Sequence, residues 1–561
     1  MKITIQHIIL LLMLGQFLGT VSMAQEYGHT ETFEAIDFFT DRSVYISGEN
    51  ICFSAIIMTN NSPGEKVLSK VLYVELITQK SDQILGQKFL VLDAVSTGYI
   101  KVPQNLSTGI YYLKSYTKYM RNFGPGSFTY HKIKVLNPFE GTVQAINSAR
   151  NDRHKGSFFK TISCENHLFR LETDREVYGP LDSITISIDP NIRKDSLLLA
   201  CISVVPSHTS HPKFLVNGST NHGNSLAYLP EYRGITLTGL LMDDDAKHPL
   251  PSRQLELSIL GDRNDIISVY TDSAGRFFFP LPKLMGQKTV FIGMTGADSI
   301  MPSILVDNDF STLSVDLPYE PFMLSEVEKL ASLKLARNLQ VYQQYLPGSV
   351  PSKQAIGVSA ESAFYGTPTQ TLNIDDYIQL QTLEDYFNEL PYLVKVRKIR
   401  GKKYLKVLGS SPTIRIYEPL VMMDMIALYD IDAILSVSSK QISHIDIINE
   451  PYVKGNITFG GIISIFSENN DYAGLDLPRG GIFINYDFLS GSEPVINHTG
   501  GDHTPDARNT LYWNGNLSFR KEATQKITFL TGHSLGEYDI VLQGVMKSGK
   551  RFLQIFSFGV E

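Results

Sequence analysis

Most of the chain consists of short runs in which apolar residues alternate with polar ones, separated by turn residues. That period of two marks strands with one face buried. In residues 38–58, FFTDRSVYISGENICFSAIIM, Val44 and Tyr45 precede a Ser47-Gly48 turn. Ile51, Phe53, Ala55 and Ile57 then alternate with Cys52, Ser54 and Ile56, which predicts a hairpin feeding a largely buried strand. VLYVELIT, GQKFLVLD, TGYIKVP, GIYYLKSYTKYM and FTYHKIKVLNP come next at short intervals with no helical pattern between them, as in a β-sandwich.

Further along, ITLTGLLMDDD, QLELSIL and the turn-strand TDSAGRFFF predict another β module. The period then changes once. Ser325 and Glu328 form a capping box, and Val327, Leu330, Leu335, Leu339 and Tyr342 give a helical stripe that Pro347-Gly348 ends. This helix is expected to dock or space the next unit of the chain relative to the sandwiches. Residues 413–468 carry an apolar run from Leu420 to Ile426 broken only by Asp424, then an acidic turn at Asp430 and Asp432. Ile431, Ile434, Leu435 and Val437 suggest a short helix, HIDIINE alternates up to Pro451, and GGIISIF resumes at Gly460. Strand, short helix, strand, glycine turn, strand describes a small α+β unit, which RGGIFINYDFL is expected to close with one more strand. Residues 207–225, SHTSHPKFLVNGSTNHGNS, read as a long flexible loop. LYWN, ITFLTG, GEYDIVLQGVM and FLQIFSFGV form a last set of strands with Trp513 as a core anchor.

The hexapeptide Thr40-Asp41-Arg42-Ser43-Val44-Tyr45 recurs as Thr173-Asp174-Arg175-Glu176-Val177-Tyr178, about one domain length later, and implies related sandwiches in tandem. The TDRxVYxxGE start and the GIYYLKSYTKYMRN strand resemble the MG2 domain of the alpha-2-macroglobulin superfamily. The TDxxGxFxF close of the third module resembles the carboxypeptidase regulatory-like domain, a non-catalytic Ig-like sandwich. PLVMMD, DIDAILSV, ISHIDIINEPY and FGGIISIFS, with the upstream residues 375–407, resemble the plug domain of TonB-dependent outer-membrane receptors. One departure is that the plug pattern usually has Gly after the first strand's aspartate, where Met425 comes after Asp424 here. Together these likenesses imply a Bacteroidota-type envelope protein.

The expected fold is therefore mainly β: tandem Ig-like or macroglobulin-like β-sandwiches, one helix, and a small α+β plug-like domain. The expected divisions are a signal peptide at 1–24, an MG2-like sandwich at 25–138 and a second macroglobulin-like module at 155–230. A carboxypeptidase regulatory-like domain is next at 232–318, then the helix at 322–346, a linker at 347–369, the plug-like domain at 370–489 and a C-terminal half-sandwich at 508–561.

Length and charge narrow the function. The 561 residues suffice for several domains, and a net charge of −7 with mixed signs argues against a nucleic-acid binder, which would need a concentrated basic face. The basic cluster KVRKIRGKK, from Lys395 to Lys403, alternates with apolar residues and reads as a solvated strand face or as a phosphate or lipid site. Lys2, the apolar stretch Ile8 to Leu18 and the small residues around Ser22-Met23-Ala24 predict an export signal cleaved after Ala24. Exported protein in the periplasm or at the outer membrane is the expectation, with membrane association only through a partner.

Candidate chemistry is sparse. The three cysteines, Cys52, Cys164 and Cys201, lie in apolar or strand-like runs and read as buried small hydrophobes, with a Cys164–Cys201 disulfide as the alternative. A macroglobulin-type thioester needs Gln three positions after its cysteine; Cys164 has His167 there. His208, His211 and His222 have no accompanying carboxylate or cysteine, the Asp243-Asp244-Asp245 run reads as a turn rather than a calcium site, and His533 with Glu537 is a chance pairing. No nucleophile elbow, zincin or phosphate-loop motif is present. No catalytic residue, cofactor, metal or small-molecule substrate is expected.

The chain after Leu489 is too short for the roughly eight spans of about 9–11 residues, plus loops, of a small barrel. The expected function is a non-enzymatic outer-membrane accessory or scaffold whose barrel-less plug-like domain meets an outer-membrane β-barrel or other envelope protein. The alternative is a surface adhesin or glycan-binding protein on a sandwich stalk, with Tyr228, Tyr232 and Phe310 as candidate contact aromatics.

Overall fold

The computed structural model describes residues 33–561 apart from 60–66, 141–158, 162–167, 191–196, 211–213, 218–226, 263, 296–300, 346–362, 391–392, 455–456, 492–504 and 520–523. It is mainly β, with three sandwiches and one α+β unit, and the chain runs through them in a nested order. Ala24, the expected cleavage position, lies outside the described residues.

The first sandwich pairs the strands Glu34–Thr40, Asn50–Thr59 and Val95–Lys101 in one sheet. The facing sheet orders Gln83–Leu90, Val71–Thr78, Gly109–Tyr116, Thr129–Leu136, Phe214–Asn217 and Phe159–Thr161. Ile51, Phe53, Ala55 and Ile57 point into the core between them, as the alternation requires. The expected hairpin does not form. After the turn at Gly48 the chain changes sheets, and Val44–Ile46 pairs in parallel with Thr129–Leu136 on the other side of the sandwich. The stretch 207–225 is also more than a loop, because Phe214–Asn217 adds to this sheet.

The modules expected at 155–230 and 508–561 are one domain. Ser183–Pro190 pairs with Gln525–Leu530, and Leu197–Pro206 pairs with both Gly536–Met546 and Tyr512–Asn514. Ile184, Ile186, Ile188, Ile202 and Val204 therefore share a core with Ile540, Leu542, Phe552 and Phe558.

The third sandwich sets Arg276–Pro280, Thr236–Met242 and Ser303–Val306 against Asp265–Tyr270, Gln254–Ile259, Gln287–Met294 and Ile482–Asp487. That last strand was expected to close the α+β unit. It instead pairs antiparallel with Gln287–Met294, from Gln287 opposite Asp487 to Ile292 opposite Ile482. The third sandwich thus interrupts the second, and the α+β unit interrupts the third.

The α+β unit holds a five-stranded sheet ordered Gln370–Asn373, Ile442–Ile448, Ile462–Ser467, Leu420–Met423, Ile426–Ala427. Alternate residues of the apolar runs separate to two cores. Val421, Met423, Ile445, Ile447, Ile463 and Ile465 pack toward the unit's two short helices. Leu420, Met422, Ile448 and Ile462 pack toward Ile266 of the third sandwich. The run Leu420 to Ile426 is a tight hairpin rather than one strand, with Asp424 and Met425 both at positive φ (46° and 70°). The glycine of the plug pattern belongs at such a position, and Met425 occupies it at a conformational cost of about 1–2 kcal/mol. The Gly460-Gly461 pair is required: a Cβ on Gly460 would lie 2.2 Å from the Tyr417 carbonyl oxygen, and Gly461 sits at φ +94°.

Helix α1, Glu326–Tyr345, has the expected capping box, with Ser325 Oγ accepting from the Glu328 amide and Glu328 Oε2 from the Ser325 amide. Its buried face differs from the expected stripe. Leu335 and Ala336 pack on Val44 and Ile46, with Leu339 beside them, while Val327 and Leu330 are exposed. Small residues at Ser332 and Ala336 let the helix approach the short strand closely. Lys134 bridges to Glu328 at 2.7 Å, and Asn338 bonds to Asn509 and Ser534. The helix clamps the first two sandwiches together rather than spacing the α+β unit. Of the expected linker, the end is packed: Phe364 and Tyr365 lie on the α+β unit, with Tyr365 Oη donating to Asp446.

Candidate functional site

The repeated hexapeptide builds the same local device twice. In the first copy the Arg42 amide donates to Tyr45 Oη, Tyr45 Oη donates to Asp41 Oδ1 at 2.7 Å, and the Cys52 amide donates to the same oxygen. In the second the Arg175 amide donates to Tyr178 Oη, Tyr178 Oη to Asp174 Oδ1 at 2.8 Å, and the Thr185 amide to Asp174. The aspartate ties the turn to the next strand, which explains why these residue types recur at this spacing.

The two copies differ in surroundings. Asp41 and Arg42 are buried, and Arg42 reaches Glu49 at 3.2 Å. Burial alone would pull the Arg42 guanidinium down, but Glu49 and Asp41 outweigh it and hold it above its ordinary value. Thr510 donates to Asp41, Asn509 donates to Glu49, and Asp37 pairs with Arg551. The first copy is therefore a joint where the first sandwich, α1 and the returning chain meet. A cavity of about 130 Å³ beside it is lined by Arg42, Glu49, Cys52, Leu339, Tyr342 and Arg508. Burial pushes the Cys52 thiol well above its ordinary value, so it is no thiolate nucleophile. Arg508 is held on Asp506 at 2.6 Å. This joint holds the fold, and its one hydroxyl beside an imidazole among the described contacts, Thr40 Oγ1 at 2.9 Å from His131 Nε2, donates to the Arg42 carbonyl.

A second cavity, of about 230 Å³, lies where the α+β unit meets the third sandwich, between Met294, Tyr429, Asp430, Leu477 and Arg479. Nearby, Glu256 is buried, with Oε1 accepting from Gln254 and Ser268 while Oε2 has no partner within bonding distance. Burial pushes its carboxyl up to about 7, against a smaller lowering effect from the Tyr429 phenol. Between the first and third sandwiches Glu231, pushed up to about 6 by burial with Lys118 opposing, accepts from Tyr73. Lys88 and Tyr486 both meet Asp309 there. These buried acids carry no motif. The one local signal for Glu256 is an acid inside QLELSIL, on the face that alternation turns away from the sandwich core.

The remaining candidates disperse. Cys201 is a buried free thiol whose Sγ faces the Gln543 carbonyl, and Cys164 lies outside the described residues. His208 sits in a turn, its amide donating to Asp539, while His211 and His222 lie outside the described residues. Asp243 accepts from the His248 ring and the Lys247 amide, closing a turn. His533 Nδ1 accepts from the Asp506 amide. Among the described residues no group of three or more His, Cys, Asp or Glu is placed to hold a metal ion. Trp513 lies half-buried on an edge strand against the cluster of Cys201 and Val545.

The α+β unit carries the most distinctive surface. Its Val394–Ile399 and Lys402–Val407 strands form a two-stranded ribbon that joins no other sheet. Val394, Leu405 and Val407 are buried at its base, whereas Lys395, Arg397, Lys398, Ile399, Arg400 and Lys402 are exposed. Among the described residues no helix is long and apolar enough to cross a membrane, which says nothing of strands.

No family model matches the chain, and no curated protein matches it by sequence. Solved structures similar to it include Escherichia coli alpha-2-macroglobulin activated by porcine elastase, at 9% identity and TM-score 0.24, covering 94% of this chain and 44% of that one. The native conformation of the same protein gives 8% identity and TM-score 0.24 over 94% and 40%. The Yersinia pseudotuberculosis adhesin InvE gives 12% identity and TM-score 0.12 over 49% and 58%. The chain spans less than half the length of those macroglobulins.

Proposed function

We propose that this protein is a non-enzymatic, exported envelope accessory whose α+β unit is a receptor-plug-like domain that docks on a separate outer-membrane β-barrel protein. The observation that carries the reading is an α+β unit of plug-like pattern held on the third sandwich, with the described strands that follow it built into sandwiches and not into a barrel. The strands after it, Ile482–Asp487 and Tyr512–Asn514 through Arg551–Val560, are spent completing the third and second sandwiches. The nested chain path supports a scaffold role, since it holds the unit on the third sandwich by both of its ends. One face of the unit's sheet is occupied by that sandwich, which leaves the helix-and-ribbon side for a partner.

The adhesin reading draws less support. Of its candidate aromatics, Tyr228 is stacked under Arg121 at 4.2 Å and Phe310 packs edge-on against Tyr73, leaving Tyr232 exposed at 64%. The test is a mild cross-link and pull-down of tagged protein from detergent-solubilised outer membranes. One stoichiometric β-barrel partner is expected, lost on deleting residues 363–477. This deletion spares the Ile482–Asp487 strand, so the third sandwich stays whole. Recovery of no membrane protein, together with cleavage by proteinase on intact cells, would overturn the accessory reading in favour of the adhesin.

A further inference from the structure

We propose that the Val394–Val407 ribbon is a docking element for the phosphate-bearing surface of an anionic lipid bilayer, so that the protein meets the membrane directly as well as through a partner. Across the ribbon Lys395 stands opposite Lys406, Arg397 opposite Tyr404 and Ile399 opposite Lys402. Directly opposed residues share a face of a β-ribbon, so these six form one surface of four cations, a tyrosine and an isoleucine. The ribbon contains no acidic residue, in a chain whose net charge is −7. Like charges directly opposite are destabilising, so Lys395 opposite Lys406 and Lys398 opposite Lys403 work against the hairpin. Lys406 and Lys403 are relieved by Glu418 and Glu384, each at 2.7 Å. Among the described residues, Lys395, Arg397, Lys398, Arg400 and Lys402 form no ion pair.

The tip strengthens the assignment. Arg400 at φ 52° and Gly401 at φ 88° make a two-residue turn of the type that favours Asn or Asp before Gly. An arginine there is a local cost that places a guanidinium at the apex. Ile399, 54% exposed, sits beside it. An apolar side chain ringed by cations suits the headgroup boundary, where the cations meet phosphates and the apolar group enters the acyl edge. A free phosphate would satisfy the cations and leave Ile399 without a role.

The experiment is co-sedimentation of the full chain with vesicles of neutral phosphatidylcholine, and with vesicles containing about a third phosphatidylglycerol, at low salt and at about 0.5 M salt. Binding to the anionic vesicles alone, weakened by salt and unmoved by millimolar inorganic phosphate, is expected. Each cation near such a surface strengthens binding about fivefold, so Lys395→Gln, Arg397→Gln and Lys402→Gln together should weaken it roughly a hundredfold. Arg397→Lys with Lys402→Arg should bind as the parent does, and Ile399→Ser should bind more weakly at unchanged charge. An unchanged melting profile in each variant separates lost binding from lost fold. Equal binding to neutral vesicles, equal binding by the triple-glutamine variant, or release by inorganic phosphate overturns the proposal. None of these outcomes bears on whether a barrel partner is recovered in the pull-down.

Discussion

The carboxylates of Asp41 and Asp174 accept the same two hydrogen bonds at the same spacing, yet one is buried beneath the second sandwich and the other faces solvent. Removing a buried carboxylate leaves Arg42 with one partner fewer and strands the donors from Cys52 and Thr510, at a cost of about 3–5 kcal/mol. At the exposed copy, water replaces the lost bonds and the cost falls to about 1 kcal/mol. Asp41→Ala should therefore lower the urea midpoint markedly and Asp174→Ala only slightly. Equal shifts would show that the turn, and not its burial, dominates. The repeat was legible in sequence because the turn needs those side chains. The difference between the copies was not, because it depends on which residues from the far end of the chain arrive: Thr510, Asn509 and Arg551.

Among the elements, the strand Ile482–Asp487 separates local pattern from final position. IFINYD alternates and reads correctly as a strand, but nothing in it specifies that it pairs with Gln287–Met294 rather than with the nearer sheet of the α+β unit. Without it Gln287–Met294 becomes an exposed edge strand, and Tyr486 and Phe488 leave the core. A fragment of residues 232–318 should then give no cooperative melting transition, whereas residues 232–489 should melt cooperatively. A cooperative transition from the shorter fragment would show that the third sandwich is complete without the returning strand. Helix α1 teaches the same lesson. Its capping box was readable from Ser325 and Glu328, but its buried face is set by Val44 and Ile46, which a helical stripe cannot name.

At the scale of the molecule, the buried carboxyl of Glu256 sits on the sheet face that meets the α+β unit, where Tyr429 approaches it. Its pKa rises from 4.5 to about 7 on folding, so the folded state prefers the protonated acid. As pH climbs past 4.5 the unfolded chain ionises first. The stabilisation is thus full below that pH, declines between about 4.5 and 7, and is flat above, a total change on the order of 3 kcal/mol. Glu256→Gln stays neutral throughout, so its urea midpoint should fall less than the parent's between pH 4.5 and 8. Identical pH profiles for parent and variant would remove Glu256 from the account, leaving Glu231, which titrates in the same direction.

By itself the sequence determined most of the strands, the one long helix, the α+β unit and the recurring turn, since alternation, caps and turn residues act over a few neighbours. It also placed the cations of the ribbon, because charge is carried by composition. Only the tertiary structure decided that residues 155–206 and 512–560 are one sandwich, that the third sandwich closes with a strand from beyond the α+β unit, and that α1 lies against the first two sandwiches. The physical reason is the same in each case. A strand's pattern states which face must be buried but not against what, and that choice falls to whichever distant segment completes the core.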